Sequence, residues 1–125
     1  MPREACTSDK IAAPVGPYSP GVRAGKFLFI SGQVALDPAT GGLVGGDAAV
    51  QTEQIFRNLE PLLRSTGKTF SDVIKAVVFL TNMRDFPAMN TVYGRRFDAP
   101  YPARTTVGVA ALPLGAAVEI DFIVR

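Results

Sequence analysis

The chain has no histidine, no tryptophan and a single cysteine. Without histidine it cannot build a Ser-His-Asp or Cys-His catalytic unit, nor a Cys/His zinc site within one chain. Cys6 alone excludes an intrachain disulfide, and with no histidine to activate it the thiol reads as a bystander near the terminus. Charge is sparse as well: 19% of residues are charged, the net charge is +2, and Arg95-Arg96 is the one adjacent basic pair. No basic tract marks a nucleic-acid or membrane surface. No apolar run approaches membrane-spanning length and Met1 to Lys10 lacks an apolar leader segment, so the expected location is cytoplasmic. What remains for chemistry is Arg, Lys, Asp, Glu, Tyr, hydroxyls and backbone groups.

What is present suits one globular domain over residues 1–125, of which 47% are hydrophobic. Residues 1–17 read as an extended lead-in. Ala13 to Pro20 packs three prolines and a glycine around Tyr18 in a rigid, non-helical loop. An aromatic in such a loop more often packs than binds, although scaffolded loops often carry function. Gly21 to Val34 reads as a β-hairpin turning at Ala24-Gly25-Lys26. Ser31-Gly32-Gln33 ends its second strand, and Gly32 permits close approach by a chain segment or a ligand. After a turn-rich loop, Asp47 is placed to cap a helix running to about Thr66, with Gly67 as its stop. Ala48, Thr52, Ile55, Leu59, Leu62 and Leu63 form its apolar stripe, which stays in phase across Pro61, so one kinked helix is expected.

Val73 to Thr81 is apolar on both faces, as a strand covered on each side would be. Asp85 then caps a second helix expected to span Phe86 to about Phe97. Phe86, Met89, Asn90, Tyr93 and Phe97 share a face, where the Asn90 amide must hold a loop or meet a ligand. Pro102 to Val109 alternates as a strand, placing Arg104, Thr106 and Gly108 on one side and Thr105, Val107 and Val109 on the other. Val118 to Val124 alternates likewise, with Glu119, Asp121 and Ile123 facing away from the core. The order is β-β-α-β-α-β-β. Two helices on one face of a mixed sheet leave the other face bare, which calls for a partner, most simply further copies of the chain.

If the last two strands form a hairpin about Leu114, Glu119 lies opposite Val109. Arg104 is then roughly 16 Å further along at ~3.3 Å per residue. A guanidinium is a fixed fork suited to a carboxylate, but on this geometry Arg104 and Glu119 serve one site only through a substrate or a second subunit.

Five pieces in order resemble the RidA (YjgF/L-PSP) family: Gly16-Pro17-Tyr18-Ser19, Ile30-Ser31-Gly32-Gln33, Val77 to Thr81 followed by Phe86 and Asn90-x-x-Tyr93, Pro102-Ala103-Arg104-Thr105, and Val118-Glu119-Ile120. The resemblance spans nearly the whole chain. It implies a chorismate-mutase-like α+β fold and a homotrimer around a central barrel, with sites in clefts between subunits. The implied activity is hydrolysis of reactive enamines and imines, such as 2-aminoacrylate, 2-iminopropanoate and 2-iminobutanoate, to 2-keto acids and ammonia. Arg104 would grip the substrate carboxylate and Glu119 would orient or activate water. Tyr18, Ser31, Gly32, Asn90 and Thr106 would line the cleft, with no cofactor, metal, nucleic acid or membrane partner. Two departures stand out: many members carry cysteine where this chain has Thr106, and often an acidic residue where it has Gly108. Competing readings are a 2-keto-acid-binding regulatory module using the same cleft and, less favoured given the lack of histidine and of a basic groove, a ribonuclease or translation inhibitor.

Overall fold

In the computed structural model, which describes residues 2–125, the chain runs β1 (Glu4–Cys6), β2 (Gly21–Ala24), β3 (Phe27–Gln33), α1 (Ala48–Ser65), β4 (Val73–Leu80), α2 (Phe86–Gly94), β5 (Ala103–Gly108) and β6 (Val118–Val124). The strands form one mixed sheet in the order β1-β2-β3-β6-β4-β5. All neighbours are antiparallel except β4 and β5, the two strands joined through α2. The fold is α+β as expected, with one strand more: β1 pairs Glu4 with Arg23 and Cys6 with Gly21 inside the segment read as lead-in.

Helix α1 follows its sequence signals. The Asp47 carboxylate accepts from the Val50 amide at 3.0 Å, and Gly67 closes the far end at φ +78°. It runs as a single helix through Pro61. Its whole expected stripe is buried, and so is Phe56, which the stripe omitted. Phe56 is the hub of the core, with the rings of Phe70, Tyr93, Phe97 and Phe122 at 5.5 to 6.1 Å. Burying such a ring contributes about 3 kcal/mol. Two amides on this helix are also buried and act as loop clamps. Asn58 donates to the Leu36 carbonyl at 2.8 Å, and Gln51 accepts from the Ala117 amide at 2.8 Å.

Helix α2 departs from expectation at both ends. It stops at Gly94, so Phe97 lies beyond it, although still buried in the core. Asp85 does not cap it with its side chain. Its backbone is already helical (φ −80°, ψ −4°), whereas a capping carboxylate needs an extended backbone to reach the first free amides. The cap sits earlier, where Asn82 accepts from the Arg84 amide at 3.0 Å and starts a short 3₁₀ turn.

The expected hairpin between the last two strands does not form. β4 lies between them: Phe79 has Val107 on one side and Glu119 on the other, so Glu119 is not opposite Val109. The connecting loop passes over the end of β4 and is fastened there twice. The Val109 amide donates to the Leu80 carbonyl at 2.8 Å, and the Thr81 amide to the Ala117 carbonyl at 3.2 Å. A strand, a helix and a second strand then make the parallel crossover unit that favours β4 beside β5.

Both helices cover the same face of the sheet. Ile30, Ala76, Val78, Val118, Ile120 and Phe122 are buried beneath them. The other face is open and apolar in patches, exposing Phe27, Phe29 and Val107. β4 is therefore covered on one side only within the chain.

Candidate functional site

Strand register decides where each candidate points. Arg104 pairs with Ala76, whose other neighbour is Phe122, and both of these lie under the helices. Arg104 and Thr106 accordingly face α2. There the guanidinium lies over the Tyr93 ring at 4.6 Å and near that of Phe86 at 5.5 Å. Phe86, Asn90 and Tyr93, spaced i, i+4, i+7, share the helix face that receives it. Asn90, Tyr93, Gly94, Tyr101, Pro102 and Arg104 line a cleft of about 470 Å³. Arg104 makes no ion pair among the described residues. Arg96 offers the contrast: it also lies over a ring, that of Phe56, but its guanidinium is already engaged by Glu53. A part-buried guanidinium with its donors free, at the edge of a cleft, is an anion grip with no anion supplied by the described residues.

Two hydroxyls near this grip, Tyr93 Oη and Thr106 Oγ1, are buried without partners among the described residues. Burial raises the Tyr93 phenol above its ordinary pKa, partly countered by the Arg104 charge, so it stays a neutral O–H. For Thr106 a direct expectation follows. Thr106→Val keeps the shape and removes a buried unpaired hydroxyl, so the ligand-free protein should gain about 1 kcal/mol, read as a higher Tm in thermal denaturation. A lower Tm would show that the hydroxyl has a partner in solution.

The second cluster forms around Glu119 on the opposite face. The register of β3 against β6 slips between Ile30 and Gln33, where three steps along β3 span two along β6. This bulge brings Gly32 against the Glu119 side chain: a Cβ on Gly32 would lie 2.6 Å from Glu119 Oε2. Only glycine leaves room for the carboxylate there. Ser31 fastens the neighbouring loop, with its Oγ donating to the Ser19 carbonyl at 2.6 Å and its amide to the Pro20 carbonyl at 2.9 Å. That loop carries Tyr18, which is 48% exposed and therefore does not plug the core. Tyr18 and Gly32 border a small cavity of about 40 Å³ beside Ala13 and Gln33. Burial, and then the Asp121 carboxylate two residues on, hold Glu119 above the usual carboxylate range. Asp121 is itself raised by burial and lowered by Lys75, whose Nζ donates to Thr105 Oγ1 at 2.9 Å.

The candidates thus fall into two groups: Arg104, Asn90 and Thr106 under α2, and Tyr18, Ser31, Gly32 and Glu119 at the β3 bulge. Arg104 and Glu119 are not partners within one chain. The cause is a stronger one than distance along a hairpin, since they point to opposite faces of the sheet with β4 between their strands. The rings of Tyr93 and Phe86 beneath Arg104 were missed as site residues, although the sequence already put both on one helix face with Asn90. Among the described residues no group of three or more His, Cys, Asp or Glu could hold a metal ion. No helix among the described residues is long and apolar enough to cross a membrane.

Residues 8–125 match the model of the Endoribonuclease L-PSP family, also called RidA/YjgF. The chain belongs to this family. This L-PSP protein is 48% identical over 125 residues to "Protein DfrA" of Myxococcus xanthus, covering 98% of this chain and 95% of that one. It is 39% identical over 123 residues to the 2-iminobutanoate/2-iminopropanoate deaminase of Dermatophagoides farinae, covering 98% and 96%. Its fold superposes on the crystal structure of RidA from the Antarctic bacterium Psychrobacter sp. PAMC 21119 with a TM-score of 0.93 at 41% identity, covering 98% and 99%.

Proposed function

We propose that this L-PSP protein is a cofactor-free deaminase that hydrolyses 2-imino acids to 2-keto acids and ammonia, working as a homotrimer in the cytoplasm. The observation that carries the reading is Arg104: a ring-backed guanidinium on a cleft, with no carboxylate among the described residues to bind. Its fork takes the substrate carboxylate in two hydrogen bonds. Glu119 accepts a proton from water as the oxygen bonds to C2 and the C=N electron pair moves to nitrogen. Glu119 returns that proton to the nitrogen, giving the carbinolamine, then takes the hydroxyl proton and passes it to nitrogen as the C–N bond breaks, forming C=O, expelling ammonia and restoring the carboxylate. An imine is already electrophilic, so positioning and one acid/base group suffice. Tyr18, Ser31, Gly32, Asn90 and Thr106 shape the cleft around it.

Because Arg104 and Glu119 face opposite ways in one chain, the complete site takes its two halves from adjacent copies, and the open apolar face of the sheet supplies the surface on which copies pack. The reading is tested by generating 2-iminopropanoate in situ with an amino-acid oxidase and trapping it with semicarbazide. The protein should compete with the trap; failure to compete overturns the enzyme reading, and binding of 2-oxobutanoate without turnover would leave a binding module. Mixed oligomers test the shared site. Arg104→Ala and Glu119→Gln, each inactive alone, should together recover about a quarter of wild-type activity, since half the sites draw an intact arginine and half an intact glutamate. No recovery after subunit exchange would place both groups in one copy.

Glu119 acts as the carboxylate, so activity falls as pH drops through its raised pKa. Asp121→Asn removes one of the causes of that rise. The acid limb of the kcat/KM profile should then move to lower pH, and a shift the other way would contradict the assignment.

A further inference from the structure

Building on Arg104 as the carboxylate grip, we infer that Tyr93 is its positioning residue: the phenol ring is the platform that holds the guanidinium in place with its hydrogen-bond edge free. An arginine has four flexible torsions, and a free fork in solution loses much of its freedom on binding. Ion pairing to a neighbouring carboxylate would hold it but would occupy the donors that the substrate needs. A ring face restrains the cation without using any of its five N–H donors. Arg104 has that arrangement, at 4.6 Å from the Tyr93 centroid and 5.5 Å from that of Phe86, with no ion pair among the described residues. Arg96, held by Glu53, has the other.

The Tyr93 ring is itself anchored. It is 5% exposed, and Phe56 and Phe97 pack on it at 5.8 and 4.9 Å. Its hydroxyl meets no partner among the described residues, so the internal structure does not need the oxygen. Ring and hydroxyl therefore separate in a test. Tyr93→Leu should weaken 2-oxobutanoate binding about 5- to 30-fold and raise KM for the imine by a similar factor, with kcat changed less. Tyr93→Phe should restore binding to within about threefold of wild type and raise Tm, since it keeps the ring and deletes an unpaired buried hydroxyl. If wild type binds 2-oxobutanoate and Tyr93→Leu binds it equally well, the platform is wrong while the deaminase reading stands. If wild type binds no monocarboxylate, both fall. Should Tyr93→Leu not fold, NMR of the wild-type protein decides. The Arg104 Nε–H proton, assigned by its loss in Arg104→Lys, should resonate upfield of exposed arginines because it lies over a ring, and an unshifted resonance would overturn the inference.

Discussion

Arg104→Ala should lower kcat/KM for 2-iminopropanoate by about 10²- to 10⁴-fold, with 2-oxobutanoate binding lost in parallel. The size follows from removing a bidentate, charge-assisted contact, in which each hydrogen bond to a charged group is worth about 1.5–3 kcal/mol. The fold should persist, because the side chain is only half-buried on an edge strand and no ion pair depends on it. Arg104→Lys separates charge from shape. It keeps the cation but loses the planar fork, so it should recover only a part of the lost activity. The semicarbazide competition reads both variants, and an Arg104→Ala protein that competes as well as wild type would remove the foundation of the proposed mechanism.

Gly32→Ala should be nearly as damaging, and for a reason confined to one contact. The added methyl would sit 2.6 Å from Glu119 Oε2 and 2.8 Å from Cδ, so the carboxylate must swing away. Misplacing a catalytic group by about 1 Å costs on the order of 10²-fold, and losing the base altogether, as in Glu119→Gln, about 10²- to 10⁴-fold. Gly32 does not have a left-handed backbone, so the substitution brings no conformational strain of its own. The loss should therefore appear in kcat, with 2-oxobutanoate binding at the Arg104 half retained. A Gly32→Ala enzyme with wild-type kcat would show that the carboxylate's position does not matter to the reaction.

Much of this arrangement was legible in the sequence because it rests on periodicity. The last strand alternates without interruption, so its span and faces were readable to the residue, and Asp47 and Gly67 framed α1 through cap chemistry alone. Phe56 was readable too: it lies four residues after Thr52 and three before Leu59, on the same helical face. β1 was not, since three residues carry no period. The partner of β5 was misread because adjacent strands joined by a loop suggest a hairpin, while the competing signal was the strand–helix–strand order that favours a parallel pair. Of the site, motif resemblance supplied the residues but not their grouping. That Arg104 and Glu119 look in opposite directions depends on which strand lies between them, and single-strand patterns carry no such information.

The placement of β4 has a consequence for how the gene can change. Arg104 and Glu119 lie on the two strands that flank β4, one paired to each of its edges. The pleat repeats every two residues, so gaining or losing one codon inside that strand would turn part of its own core face outward or force a bulge in its pairing with both neighbours at once. One codon more or less in the loop between β5 and β6 can be absorbed without disturbing either ladder. The lineage of this chain is thus free to vary the length of that loop and held to the length of the strand beneath it.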